Sequence, residues 1–310
     1  MNPLAVQIAG IALESPLVLA SGVLGTTAAS LRRVAQAGAG AVTTKSCSLA
    51  ARPGHPAPCV LPWPGGLINA VGLSNPGVEA ELEELAEYRR TCTTPLFVSI
   101  FAGSALEFGK LARRVAAANP DLIEVNVSCP NVDSEFGAPF AADPEACGRV
   151  TRAVKENAGA VPVSIKLSAQ CASLARMAGT CQQNGADAIT AINTVGPGMW
   201  IDVGTGRPAL SNRVGGVSGS AILPIAVRAV YEIRKAVDLP IIGTGGVSCA
   251  ENALQLIMAG ADAVGVGSGV YAGGVELFGG INRGLAAFLQ ERGFESLVQA
   301  KGLAHREGRP

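Results

Sequence analysis

Eight short apolar segments alternate along the chain with segments of helical periodicity, and this alternation restricts the fold more than any other feature. The apolar segments are rich in β-branched residues and are bounded by Gly, Pro or polar residues, a pattern typical of buried strands. The predicted strands are 16–20, 41–45, 96–101, 122–128, 162–168, 188–194, 240–245 and 263–268. The predicted helices are 26–37, 78–90, 104–119, 143–158, 171–184, 220–236, 248–259 and 276–291, with Ser104, Asp143 and Ser248 as predicted N-caps. Eight strand–helix units predict an α/β fold with a closed (β/α)8 TIM barrel, in preference to an open doubly wound sheet.

Three connections are too long to be simple turns. They cover residues 47–77, 129–142 and 195–219, after predicted strands two, four and six. Because each follows a strand, all three are expected on the face of the barrel where the carboxyl ends of the strands meet and active sites form. Residues 6–16 are expected to form a hairpin that closes the opposite end of the barrel.

Composition excludes several other classes of protein. The chain has 24 basic and 24 acidic residues, so no net charge attracts it to nucleic acid or to an anionic membrane. Its apolar runs are too short to span a bilayer, and the first ten residues lack the basic and apolar regions of a signal peptide. With no linker or low-complexity tract, residues 1–310 are expected to form a single domain of a soluble cytoplasmic enzyme.

The cysteine pattern does not indicate a metal site. No two of the eight cysteines form a C-x-x-C pair, and only two histidines are present, so neither a zinc site nor an iron–sulfur cluster is predicted. Seven of the cysteines are interpreted as small apolar residues with reduced thiols. The eighth is Cys129.

Cys129 lies in NVSCPNVDSEFG, residues 126–137, where the fourth predicted strand runs into a loop. Asn126 and Asn131 flank it. A thiol at a strand end can act as a nucleophile or base, and carboxamides can bind a planar, amide-like ligand through paired donors and acceptors. The alternative is a buried structural cysteine, which is the more common role of a free cysteine.

Two lysines and further carboxamides are expected at the same barrel face. Lys45 and Lys166 lie near the ends of the second and fifth strands, where an apolar strand rarely carries a lysine unless its charge is used or paired. Two such cations are suited to a carboxylate or a reduced flavin anion, or one of them to a Schiff base. Asn69 and Asn193 add carboxamides that suit an imide or a carboxylate, although a single loop asparagine is usually a turn former.

Two glycine-rich segments end the last two strands, at residues 243–247 and 265–269. Glycines there allow backbone N–H groups to approach an anion, and a phosphate site after strands seven and eight recurs in barrels of this type. Close packing between helix and strand is the alternative explanation.

Taken together, these motifs resemble those of the class 1 dihydroorotate dehydrogenases, most closely the catalytic subunit of class 1B. The matching segments are TTKS at 43–46, NAVGLSNPG at 69–77, NVSCPN at 126–131, NTVGPGMWID at 193–202, TGRPALSN at 205–212, GGVSG at 215–219 and GTGGV at 243–247. They occur in family order over nearly the whole chain. The resemblance implies an FMN-dependent oxidation of (S)-dihydroorotate to orotate, a step of pyrimidine synthesis.

The resemblance also implies a role for individual residues. Cys129 resembles the base that removes the C5 proton while a hydride passes from C6 to flavin N5. Lys166 is expected beside the flavin N1–C2 carbonyl side, where negative charge develops on reduction. The implied substrate-binding residues are Lys45, Asn69, Ala70, Val71, Gly72, Leu73, Asn126, Asn131, Asn193 and Thr194. The implied FMN-binding residues are Ser21, Lys45, Ser46, Asn126, Lys166, Ile192, Gly219, Gly245, Gly246, Gly267 and Ser268.

Similarity to class 1B further implies a homodimeric core, assembled as a heterotetramer with a subunit that carries FAD and a 2Fe–2S cluster and passes electrons to NAD+. A class 1A enzyme that uses fumarate is the alternative. Three positions depart from the family pattern: Leu167 follows Lys166 where a proline is usual, Ser99 stands where related enzymes often have asparagine, and Ser220 replaces a common proline.

Three other functions compete with this interpretation. A dihydropyrimidine dehydrogenase-type domain has a similar cysteine loop but tends to carry histidine where this chain has Asn131. A Schiff-base lyase would use Lys45 or Lys166 and need no FMN. A catalytically inactive binding subunit would have no chemical need for the thiol, both lysines and the carboxamides.

Overall fold

The computed structural model describes residues 2–127, 140 and 142–306. The strands are β1 Val6–Ile8, β2 Ile11–Leu13, β3 Leu17–Leu19, β4 Ala41–Thr43, β5 Val60–Trp63, β6 Gly66–Asn69, β7 Leu96–Ile100, β8 Leu122–Asn126, β9 Val163–Leu167, β10 Ala188–Ala191, β11 Val195–Gly198, β12 Ile201–Asp202, β13 Arg207–Pro208, β14 Gly215–Ser218, β15 Ile241–Thr244 and β16 Ala263–Val266. The α-helices are α1 Ala28–Gln36, α2 Val78–Thr91, α3 Ala105–Ala116, α4 Pro144–Asn157, α5 Leu174–Gln183, α6 Leu223–Arg234, α7 Ala250–Met258, α8 Gly269–Gly273 and α9 Leu277–Arg292. Short 3-10 helices occupy Ser220–Ile222, Leu297–Gln299 and Leu303–His305.

Eight parallel strands close into a barrel in the order β3, β4, β7, β8, β9, β10, β15 and β16. Strand β16 returns to β3 and completes the closure through the pairing of Val264 with Leu17. These are the eight predicted strands, so the (β/α)8 prediction is confirmed. The strands end earlier than predicted, and Lys45 and Asn193 therefore lie just beyond β4 and β10.

Helix caps follow the predicted sequence signals with one exception. Ser104 accepts a hydrogen bond from Glu107 N at 3.2 Å, and Asp143 accepts one from Glu145 N at 2.9 Å, as N-cap side chains do. The predicted cap Ser248 is wrong, because α7 begins one residue later with Cys249 at the N-cap.

The hairpin of β1 and β2 closes the amino-terminal end of the barrel, as predicted. Its Ile8 and Leu13 pack against one inward-facing residue from each of seven barrel strands, namely Val18, Ala41, Phe97, Leu122, Ala188, Ile242 and Ala263. Burying these apolar side chains stabilises the end of the barrel that carries no predicted site residue.

Three aspartates repeat one arrangement around this end of the barrel. Each aspartate is the residue just before a barrel strand. Its carboxylate accepts a hydrogen bond from the first backbone N–H of the adjacent strand. It also forms an ion pair with a basic residue in the last turn of the helix that precedes this adjacent strand. The sets are Asp121 with Leu96 N (2.7 Å) and Arg89 (2.6 Å), Asp187 with Val163 N (2.7 Å) and Lys155 (2.7 Å), and Asp262 with Ile241 N (2.9 Å) and Arg234 (2.8 Å). Each set ties a helix end to two adjacent strands.

Above the apolar end, the interior of the barrel is polar. Leu122 lies in the apolar cluster, so Glu124 and Asn126, two and four residues further along β8, point into the same interior. Other polar side chains buried on the barrel strands are Thr43, Ser99, Ser164, Lys166, Thr190 and Thr244.

The connections after β4 and β10 contribute a second sheet at the carboxyl ends of the barrel strands. Its strand order is β11, β14, β6 and β5. Most of the loop after β8 lies outside the described residues. In the described part of the chain, no helix combines the length and the apolar character needed to cross a membrane.

Candidate active site

A buried lysine occupies the upper interior of the barrel. Lys166 is 4% exposed, and its Nζ donates hydrogen bonds to Ser21 Oγ at 2.7 Å and to Glu124 Oε1 at 3.3 Å. Strand β9 positions it because Lys166 pairs with Asn126 in the register of β8 and β9, and Glu124 lies two residues before Asn126 on the same face. Two predicted FMN-binding residues, Ser21 and Lys166, are thus in direct contact.

A chain of hydrogen bonds leads from Glu124 to the predicted substrate-binding residues. Ser99 Oγ donates to Glu124 Oε1 at 3.1 Å, and Ser46 Oγ lies 2.8 Å from Ser99 Oγ. Asn126 Nδ2 donates to Ser46 Oγ at 3.3 Å, and Asn193 Nδ2 donates to Asn126 Oδ1 at 3.2 Å. Side chains from four barrel strands or their ends are thereby connected.

The second sheet brings further predicted residues together. Asn69 on β6 pairs with Gly216 on β14, and Asn69 Nδ2 donates to Gly216 O at 3.3 Å. A Cβ atom at Gly216 would lie 2.2 Å from Thr194 Oγ1, so only glycine lets β14 pass this close to Thr194. Thr194 N donates to Asn193 Oδ1 at 2.8 Å, which joins the sheet to the hydrogen-bond chain.

The segment that follows Asn69 is held by backbone contacts. Ala70 N donates to Cys59 O at 2.8 Å, and Val71 O accepts from His55 N at 3.1 Å. Arg52 Nε donates to Gly72 O at 2.9 Å, and Leu73 adopts a left-handed conformation with φ of 57°. The structure therefore gives residues 70–73 a fixed conformation.

Lys45 lies just after β4 and is partly buried. Its backbone N–H donates to Gly25 O at 2.8 Å. Burial lowers the pKa of the Lys45 ammonium, and the nearby Cys59 acts in the opposite direction. A partly desolvated ammonium of this kind interacts more strongly with an anion than one in bulk water.

The glycine-rich strand ends converge with other predicted FMN-binding residues. A Cβ atom at Gly245 would lie 3.6 Å from Ile192 Cγ1, and one at Gly246 would lie 3.0 Å from Gly219 O. Gly245 and Gly246 both have positive φ, at 138° and 76°. Gly267 approaches the end of β3, because a Cβ atom there would lie 3.5 Å from Ala20 Cβ, and Ser268 follows as the N-cap of α8.

An unsatisfied hydroxyl lies at these glycines. Thr244 Oγ1 is buried and has no hydrogen-bond partner among the described residues. Such a group has a cost in free energy unless a ligand or water satisfies it. A polar ligand at residues 244–246, with Lys166 and Ser21 as donors nearer the barrel axis, fits the donor set expected for a phosphorylated flavin.

Cys129 and Asn131 lie outside the described residues. The other seven cysteines are free. Cys47, Cys147 and Cys181 are buried, as suits small apolar residues, whereas Cys59, Cys92 and Cys171 are half-buried and Cys249 is exposed.

Sequence reasoning missed two polar residues of this region, Glu124 and Thr244, and identified Ser99 only as a departure from the family pattern. Glu124 carries the clearest signal, since it is an acidic residue in the middle of the apolar run Leu-Ile-Glu-Val-Asn-Val at 122–127. A charge in such a strand requires a partner, and Lys166 is that partner.

Comparison with known proteins agrees with the resemblance read from the motifs. A family model described as dihydroorotate dehydrogenase matches residues 3–289. The chain is 46% identical over 299 residues to the dihydroorotate dehydrogenase B (NAD(+)) catalytic subunit of Methanothermobacter thermautotrophicus, covering 96% of this chain and 97% of that protein. The catalytic subunits of the same name from Methanosarcina mazei and Pyrococcus furiosus are 44% and 40% identical, with 96% and 97% of this chain and 94% and 98% of those proteins covered. The chain belongs to the dihydroorotate dehydrogenase family.

Proposed function

We propose that this protein oxidises (S)-dihydroorotate to orotate with FMN as its cofactor. The observation that carries the proposal is the continuous hydrogen-bond chain from Lys166 to Asn193. It joins a buried cation suited to a flavin to carboxamides suited to a dihydropyrimidine. Family membership makes this chemistry the expected one.

The FMN-binding residues would act through charge and backbone shape. FMN, when bound, supplies the acceptor for the hydride and its two electrons. Lys166 would place a fixed positive charge where negative charge accumulates, and a preorganised charge in a buried site stabilises such a change strongly. Thr244, Gly245 and Gly246, with Gly267 and Ser268, would hold the phosphate.

The substrate-binding residues would recognise a flat ring that carries amide groups and a carboxylate. Asn69, Asn126 and Asn193 offer donors and acceptors that match the ring amides. Lys45 would pair with the carboxylate, and its partial burial strengthens that pairing. Asn131 and residues 70–73, with Thr194, complete the proposed substrate-binding set.

Cys129 is the proposed base. Its thiolate would remove the proton from C5 of the substrate as the hydride leaves C6. A thiol serves this purpose when neighbouring cations lower its pKa toward the working pH.

The electrons would leave through a second protein. Relatives of this chain bear the name of a catalytic subunit of an NAD(+)-linked enzyme. We therefore propose a homodimeric core that associates with a subunit carrying FAD and a 2Fe–2S cluster. Fumarate as direct acceptor is the alternative outcome, and reoxidation of the reduced protein by fumarate alone would favour it.

An anaerobic visible spectrum of the purified protein tests the proposal. Flavin absorbance that bleaches on addition of dihydroorotate, and not on addition of dihydrouracil, is the expected result, since dihydrouracil lacks the carboxylate. Bleaching by dihydrouracil alone would contradict the assigned substrate. A colourless protein that does not take up FMN would exclude the flavin mechanism, and borohydride trapping of a substrate on Lys45 or Lys166 would then identify a lyase.

A further inference from the structure

We propose that Glu124 is a positioning residue for the reaction: its carboxylate holds Lys166 against the proposed FMN site and fixes the donor and acceptor pattern that Asn126 presents to the substrate. The inference rests on the proposed function. The sequence motifs of the site did not assign a role to Glu124.

Glu124 and Lys166 are buried together in the barrel interior. The side chains of Glu124 and Lys166 are each 5% exposed, and their charged atoms lie 3.3 Å apart. An ammonium in the interior of a barrel is costly unless a carboxylate compensates it. Asn126 is the residue of β8 that pairs with Lys166, and Glu124 is the preceding inward-facing residue of β8. Glu124 therefore contacts Lys166 from the side of the apolar end of the barrel.

The hydrogen bonds that join Glu124 to Asn193 all run in one direction. A carboxylate is only an acceptor, so Ser99 Oγ must donate its hydrogen to Glu124. Ser99 then accepts from Ser46, whose own oxygen accepts from Asn126 Nδ2. Asn126 Oδ1 in turn accepts from Asn193 Nδ2. Every donor in the chain therefore points toward Glu124, and its negative charge supports the orientation of the Asn126 carboxamide from one end, while the Thr194 N–H that donates to Asn193 Oδ1 supports it from the other.

The charges of the two side chains balance each other. Glu124 and Lys166 form a buried ion pair with no net charge. A neutral residue at position 124 would leave one uncompensated positive charge, which favours the reduced, more negative form of a flavin over the oxidised form. Glu124 would therefore keep Lys166 in place and also limit how strongly the site favours reduced over oxidised FMN.

The experiment compares wild type with Glu124→Gln, which keeps the shape of the side chain and removes its charge. The matched control is Ser164→Ala, which alters another fully buried polar side chain of the barrel interior that bonds to Thr190 at 2.9 Å. Two quantities are measured on each protein: the flavin midpoint potential by anaerobic dye equilibration, and the orotate dissociation constant of the oxidised protein.

For Glu124→Gln we expect the preference for reduced over oxidised FMN to rise about tenfold, which corresponds to about 30 mV for a two-electron couple. Orotate should bind about fivefold more weakly, because an amide at position 124 no longer fixes the direction of the chain. Ser164→Ala should match wild type in both quantities. A midpoint potential and an orotate affinity equal to those of wild type in Glu124→Gln would overturn the inference.

Ser99→Ala keeps the proposal testable if Glu124→Gln does not fold. It retains both charges and interrupts the chain, so orotate should again bind more weakly while the midpoint potential stays close to that of wild type. An unchanged orotate affinity in Ser99→Ala would contradict the orienting role of Glu124. Failure of the proposed function is distinct, because wild type itself would then not bind FMN or would not be bleached by dihydroorotate.

Discussion

A buried glutamate on α2 should make this protein less stable as the pH rises. Glu81 is 2% exposed and lies beside Thr44 and Cys47 at the end of β4. Burial raises the pKa of the Glu81 carboxyl to about 7, which a hydrogen bond from Thr44 partly opposes and the neighbouring Glu84 reinforces. Burial and Glu81 also raise the pKa of the Cys47 thiol, so that thiol stays neutral throughout the range considered below.

The size of the effect follows from the difference between the folded and unfolded pKa values. A change from 4.5 to about 7 corresponds to about 3 kcal/mol of unfolding free energy. Because the folded state binds the proton more tightly, stability is highest below the unfolded pKa. It falls as the pH rises between the two values, and the full loss is reached once the pH exceeds the folded pKa.

Replacing Glu81 by glutamine should remove this pH dependence. We expect Glu81→Gln to be more stable than wild type by about 3 kcal/mol at pH 8 and by less than about 1 kcal/mol at pH 5. Urea unfolding followed by circular dichroism at the two pH values gives the comparison. The matched control is Glu83→Gln on the exposed side of the same helix, which should stay within about 0.5 kcal/mol of wild type at both. An equal effect of Glu81→Gln at pH 5 and pH 8 would refute the reasoning.

Three further predictions concern the proposed base, the buried cation and the amino-terminal end of the barrel. Cys129→Ser should retain FMN and orotate and slow single-turnover flavin reduction at neutral pH by about 100-fold or more; an unchanged stopped-flow rate would exclude the thiol as base. Lys166→Ala should weaken FMN binding or slow flavin reduction, and wild-type flavin content together with a wild-type rate would count against its role. Asp187→Ala should cost about 1–3 kcal/mol because a buried backbone N–H loses its acceptor, whereas Lys155→Met should cost less than about 1 kcal/mol because that pair is partly exposed. Equal losses of unfolding free energy in urea would contradict this division.

The barrel could be predicted because its signals are local. Each buried strand is a short β-branched run, and each helix has an apolar period of its own, so eight units are visible without knowledge of long-range contacts. The closing hairpin of β1 and β2 was predicted on the same grounds. Predicted and observed strand ends differ by up to three residues. The sequence pattern of a strand continues through residues such as Lys45, which lie beyond the last hydrogen bond between neighbouring strands.

The second sheet could not be predicted, because its pairings join segments far apart in the chain. Asn69 pairs with Gly216, and neither strand has a hydrophobic alternation strong enough to specify that register. The sequence placed Asn69 and Thr194 on the same face of the barrel. Only the fold shows that Gly216 lies between them, where no larger residue fits.

Glu124 was missed for a different reason. Rules for buried strands treat an apolar run as uniform, yet the inward face of β8 changes from Leu122 in the apolar cluster to Glu124 and then Asn126. This change from apolar to polar side chains runs along the barrel axis and depends on the neighbouring strands. A buried Glu124 is tolerated only because Lys166 and Ser99 on those strands donate hydrogen bonds to it.

The two ends of the barrel are therefore stabilised by different interactions. The amino-terminal end combines an apolar cluster with aspartates that each satisfy a backbone N–H, and none of these groups belongs to the predicted site. The polar interior above it holds a compensated charge pair and a directed hydrogen-bond chain, an arrangement that contributes less to stability than apolar packing would. Since a buried ion pair is weak evidence for stability, the presence of Glu124 and Lys166 in this interior is better explained by the chemistry proposed for the carboxyl ends of the strands.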